Sequence, residues 1–148
     1  MVSNYQHILL ATDLAPDGEA VAERAQSLAQ FYGAKLSILH VVDAVPLYFG
    51  NELVLPETQE IEAAMVERAR ERLAALAAKV GVAAGDGHVR SGVTKLEIVG
   101  FVEENGVDLI VVGSHTRHGL GHLLGSTANA VLHSAPCDVL AVRVAEAK

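Results

Sequence analysis

The sequence predicts a doubly wound α/β fold: a five-stranded, mainly parallel sheet with helices on both faces. Three observations lead there. Five short apolar runs without helical period alternate with four segments whose apolar residues recur at helical spacing. The βα units repeat at roughly 30 residues, which suits right-handed crossovers rather than hairpins. Aromatic residues make up only 4% of the 148 residues, with no Trp, beside many Ala and Val. Such small and β-branched side chains suit Ala-rich helices lying close on Val- and Ile-rich strands.

Residues 7–12, His-Ile-Leu-Leu-Ala-Thr, form an apolar run ending at Asp13, the pattern of a strand buried on both faces. Pro16 permits a helix start, Asp17 and Glu19 suit the positive end of its dipole, and Val21, Ala25, Leu28 and Tyr32 carry the period until Gly33 stops it. Leu36 to Val42 is the second buried strand, and a Pro- and Gly-punctuated connection runs from Val45 to Pro56. Ile61, Met65, Ala69, Leu73, Leu76 and Val80 form the apolar stripe of a long helix, and the charges of residues 67–72 form its solvated face. His88 to Ser91 is short and polar enough for an edge strand. Gly92 leads into a helix with Leu96, Ile98, Val99 and Val102, closed by Asn105-Gly106. Asp108-Leu-Ile-Val-Val-Gly113 is the clearest strand and delivers the chain into a loop, Ser114 to Leu124. Ser126 or Thr127 can cap the next helix, which runs to about Ser134, and Val139 to Val144 is the fifth strand. No linker divides the chain, so residues 1–148 read as a single domain.

Composition narrows the function. Eighteen acidic against eleven basic residues leave a formal charge of −7, with no basic stretch to serve as a nucleic-acid surface. A lone cysteine, Cys137, permits neither an internal disulfide nor a Cys-based zinc site, and fits a reducing compartment as a small apolar residue. The chain begins without a basic region followed by an apolar one, and its apolar runs are shorter than a membrane span, so a soluble, cytoplasmic protein without membrane partners is expected.

In doubly wound sheets, ligands bind beyond the carboxyl ends of strands, where the winding reverses. Two strand ends carry suitable groups. At Ala11-Thr12-Asp13, the carboxylate can accept from a ribose hydroxyl or a base amine. At Gly113-Ser114-His115-Thr116, the chain runs on to Gly125-Ser126-Thr127, where glycine and the N–H groups of a helix start suit a phosphate. The bland alternative is that these glycines make tight turns and Ser126 only caps a helix. The loop matches neither a P-loop nor a dinucleotide fingerprint.

His7-Ile-Leu-Leu-Ala-Thr-Asp13, Leu39-His-Val41, Asp108-Leu-Ile-Val-Val-Gly-Ser-His115, Leu123-Leu-Gly-Ser-Thr-Ala128 and Pro136-Cys-Asp-Val-Leu140 together resemble the universal stress protein family over essentially the whole chain. The resemblance implies an adenine nucleotide alpha hydrolase-like fold with strand order 3-2-1-4-5. It also implies a homodimer, often paired through the last strand, here Val139 to Val144. Many members bind ATP through Gly-x2-Gly-x9-Gly-[Ser/Thr], and magnesium would accompany that ligand. By position, the resemblance puts Ala11, Asp13, Val41 and Val112 around adenine and ribose, and Gly113, Gly125, Ser126 and Thr127 near ribose and phosphates. Here the motif reads Gly113-x2-Thr116-x8-Gly125-Ser126, one residue shorter and with Thr116 in place of the second glycine. The threonine side chain can crowd a phosphate or donate a hydrogen bond to one. The resemblance thus implies an ATP-binding regulator or protectant in stress response that acts through protein partners. The alternatives are a nucleotide-free signalling or interaction module of the same fold and a weak ATPase.

No Ser-His-Asp order, carboxylate pair or activated lysine emerges from the spacings, so no catalytic residue is assigned and any ATP hydrolysis is expected to be slow. His115, His118 and His122 have a spacing that can gather imidazoles around zinc, but Gly119 and Gly121 leave the backbone between them loosely specified, so no metal site is assigned. His40 and His133 read as core or boundary residues, and Asp43 as a strand-end residue near the rim.

Overall fold

The computed structural model describes residues 4–43, 48–49, 52–53, 56–114 and 125–144. Their elements run β1 (His7–Ala11), α1 (Gly18–Tyr32), β2 (Lys35–Asp43), β3 (Tyr48–Phe49), β4 (Glu52–Leu53), α2 (Pro56–Val80), a 3-10 turn (Ala84–Asp86), β5 (Gly87–Gly92), α3 (Thr94–Asn105), β6 (Leu109–Gly113), α4 (Ser126–Ser134) and β7 (Asp138–Val142). Five strands form one sheet in the order β5-β2-β1-β6-β7, all pairs parallel. Counting only these five along the chain, the order is 3-2-1-4-5, as the family resemblance implies. β5, at six residues no shorter than β1, β6 and β7, lies at an edge, as its polar sequence anticipates.

Strand alternation sends successive side chains into two separate cores. Ile8, Leu10, Ile38, Val42, Leu109 and Val111 join Val21, Ala25 and Ala29 of α1 and Leu73, Ala77 and Val80 of α2 in one layer. Leu9, Ala11, Leu39, Ile110 and Val112 meet Ile98, Phe101 and Val102 of α3 and Ala128 and Val131 of α4 on the opposite face. Alanines on α1 and α2 let those helices lie close to the sheet. At its amino end, β1 is tied down by polar contacts. The His7 ring lies between the Asn105 carbonyl, 3.0 Å from Nδ1, and Ser37 Oγ, 2.8 Å from Nε2. The Asp108 carboxylate accepts the N–H groups of Gln6 and His7 at 2.9 and 3.1 Å.

Several boundaries differ from the sequence expectation. Helix α1 begins at Gly18, with Asp17 as N-cap, rather than at Pro16. Gly125 is the N-cap of α4, so Ser126 and Thr127 lie inside its first turn and do not cap it. β7 ends at Val142 rather than Val144. The connection after Val45 contains a two-stranded antiparallel ribbon, β3 with β4, whose two-residue strands are too short for any apolar period to register. Along α2, Ala69, Leu73 and Val80 are buried, but Ile61 and Met65 are 55% and 50% exposed. At 25 residues the helix is about 37 Å long, whereas six-residue β5 beneath it spans only about 20 Å, so its first turns outrun the sheet.

Candidate functional site

In the order β5-β2-β1-β6-β7, the winding reverses between β1 and β6, and the crevice where doubly wound sheets bind ligands lies at their carboxyl ends. The register pairs Leu10 with Val111 and Ala11 with Leu39, which brings the ends of β1, β2 and β6 to one rim. Ala11 and Val112 are enclosed in the core below it, while Val41 is half-buried and packs against that core.

Beyond β1 the chain makes a self-bonded turn. Thr12 Oγ1 accepts the Leu14 N–H at 3.0 Å, and Asp13 Oδ1 accepts the Ala15 N–H at 2.9 Å. The Leu14 and Ala15 N–H groups are therefore consumed by side chains of the turn itself, and Asp13 is left half-buried as a carboxylate at the rim. This end of the cleft suits a ligand group that donates hydrogen bonds, such as a ribose hydroxyl or an exocyclic amine. It does not suit a phosphate.

The β6 end has the opposite chemistry. Gly113 closes the strand, and the Ser114 N–H bonds the Val142 carbonyl at 2.9 Å. Gly125 caps α4 in an extended conformation, φ −60° and ψ 160°, without a side chain to satisfy the helix start. The first intrahelical donor is Asn129, bonded to the Gly125 carbonyl at 2.9 Å. The N–H groups of Ser126, Thr127 and Ala128 precede it, and no acidic residue lies in the first turn. Such a helix start suits an anion.

Of the sequence candidates, Thr12, Asp13, Val41 and Gly113 stand at this rim, Ala11 and Val112 lie in the core beneath it, and Gly125, Ser126 and Thr127 open α4 after β6. His115 and Thr116 lie outside the described residues, as do His118 and His122. Among the described residues no group of three or more His, Cys, Asp and Glu is placed to hold a metal. Asp43 takes the strand-end role, accepting a hydrogen bond from Thr94 Oγ1 at the start of α3. Burial pushes the Cys137 thiol pKa up, with Asp138 and Asp108 adding to the shift, so the thiol is disfavoured as a nucleophile. Sequence inspection missed two contacts. His40 Nδ1 lies 2.8 Å from the Thr12 carbonyl, and Arg72 Nη2 donates to the Leu14 carbonyl. Leu14 itself has φ 60°, unusual for a residue with a β-carbon, and no local sequence signal marks it.

Among the described residues no helix is long and apolar enough to cross a membrane. The sequence model of the universal stress protein family matches residues 4–143. Universal stress protein A homolog 1 of Coxiella burnetii is 42% identical over 143 residues, 97% of this chain and 99% of its own. Among solved structures, the universal stress protein UspA of Lactobacillus plantarum superposes with a TM-score of 0.71 at 26% identity, covering 97% of this chain and 100% of its own. A universal stress protein in complex with cAMP aligns with a TM-score of 0.59 at 28% identity, over 97% of this chain and 100% of its own.

Proposed function

The chain belongs to the universal stress protein family, and on that premise we propose that it binds ATP, with magnesium, in the cleft between the ends of β1 and β6. The observation that carries this is the polarity of the rim. A fixed carboxylate acceptor at Asp13 lies on one side of the switch point, and the helix start at Gly125 leads away from the other. A solved relative in complex with cAMP supports the adenine-nucleotide class. Asp13 accepts from ribose or base, Val41 supplies an aliphatic wall, and the leading N–H groups of α4 meet the phosphates. Because the chain has few aromatics, base stacking is not the main grip. With no catalytic constellation assigned, the nucleotide acts as an effector that stabilises one conformation of a cytoplasmic regulator or protectant. Calorimetry on nucleotide-stripped protein is expected to show ATP binding, weakened about tenfold or more in Asp13→Ala, the loss of a charge-assisted hydrogen bond. Absence of heat at millimolar ATP with magnesium overturns the proposal and leaves the interaction-module alternative. A turnover assay on the same sample distinguishes bound ATP from ADP released by a weak ATPase.

We further propose that the protein is a homodimer through β7. Among the described residues that strand has one neighbour in the sheet, and Leu140 and Ala141 are exposed along it. A second β7 would complete its free edge. Light scattering is expected to give twice the chain mass, reduced to one chain mass by Leu140→Lys. A wild-type mass of one chain rules the dimer out.

A further inference from the structure

Leu14 is 7% exposed and sits at φ 60°, in the left-handed region that a β-carbon disfavours. A turn of this kind persists only when its surroundings hold it. Its two N–H groups at Leu14 and Ala15 are bonded from within, to Thr12 Oγ1 and Asp13 Oδ1. Two of its carbonyls are bonded from outside. Thr12 O, in a residue only 8% exposed, lies 2.8 Å from His40 Nδ1 on β2, and Leu14 O accepts from Arg72 on α2. Because a carbonyl can only accept, His40 Nδ1 carries the proton. Two elements distant in sequence therefore clamp the turn on either side of Asp13.

We propose that His40 and Arg72 are positioning residues: they hold the Thr12 and Leu14 carbonyls, and so fix the direction of the Asp13 carboxylate without touching a ligand. The consequence for affinity rests on the nucleotide site proposed above. The geometry of the turn does not.

The test therefore has two arms. In nucleotide-free protein, amide hydrogen exchange at Leu14 and Ala15 reports directly on the two internal bonds of the turn. His40→Leu and Arg72→Met are expected to speed that exchange about tenfold, whereas His40→Asn, whose side-chain amide donates from nearly the same place as Nδ1, keeps exchange near the wild-type rate. Arg72 lies on the exposed side of α2, so its variant remains informative if His40→Leu fails to fold. In the second arm, the Kd for ATP rises about tenfold in the two disruptive variants and stays within about threefold of wild type in His40→Asn. Unchanged exchange in folded Arg72→Met and His40→Leu overturns the proposal, as does a His40→Asn protein that behaves like His40→Leu, since ring packing would then be the cause. Faster exchange with unchanged ATP affinity overturns the positioning role. A wild-type protein that binds no ATP removes the nucleotide site, and the exchange arm alone then decides whether the two residues hold the turn.

Discussion

Gly113 carries a hydrogen where a methyl group would stand 3.1 Å from Val21 Cγ2 and 3.4 Å from Val144 Cγ2. Its absence lets α1 approach the end of β6 beside the cleft. Gly113→Ala is expected to cost about 1–2 kcal/mol by overpacking. Combining it with Val21→Ala should recover about 1 kcal/mol relative to the sum of the single changes, a coupling that urea denaturation of the double-mutant cycle will read. At the far edge, burial lowers the His88 imidazole pKa below its ordinary 6.5, and Arg90 adds to the shift. The ring packs against Phe101 with centroids 5.0 Å apart. The unfolded chain therefore takes up the proton more readily than the folded one. This contribution to stability is complete above 6.5 and is lost as pH falls through the lowered folded value. His88→Gln should lose less stability than wild type between about pH 7.5 and about pH 5.5, seen as a smaller shift in urea midpoint. The turn residue Leu14 escaped sequence inspection for a physical reason: its backbone state is imposed by groups 28 and 58 residues away from those they hold, His40 and Arg72, rather than by its neighbours.

Elements were most legible where burial and period coincide. β1 and β6 are apolar because both faces are covered, and α1 and α3 end at Gly33 and Gly106, whose φ values of 64° and 66° are cheapest for glycine. The apolar stripe of α2 found the helix but overstated how much of it packs. That distinction is measurable. Ile61→Glu and Met65→Glu should each change stability by less than about 0.5 kcal/mol. Leu73→Ala, in the buried half of the same stripe, should cost about 2–5 kcal/mol in denaturant unfolding. Ser126 misled in the opposite direction, since a hydroxyl before an apolar run looks like a cap while the preceding glycine occupies that position. The correction matters to the site, because it puts the Ser126 and Thr127 N–H groups in the first turn, ahead of the first intrahelical donor, Asn129.

At the scale of the molecule, composition and βα spacing were enough for a doubly wound sheet, and the family resemblance supplied its strand order. Asp13 and Gly113 were legible as site candidates because such folds gather strand ends at one rim. The clamp from β2 and α2 was not, since only the folded sheet brings His40 beside Thr12. β1 occupies the middle of that sheet, with Ile8 opposite both Leu36 and Leu109. During synthesis at about 5–20 residues per second, one edge of β1 therefore waits roughly 5–20 s for β6 to be made. Before β6 arrives the nascent chain can assemble at most β2-β1 and then, once β5 is made, β5-β2-β1, leaving the wholly apolar Ile8–Ala11 stretch with an open edge that invites foreign strands. The arrival of β6 ends that hazard and sets Gly113 beyond the register that Leu10 and Val111 share, so the step that protects the newborn chain also brings together the two sides of the cleft.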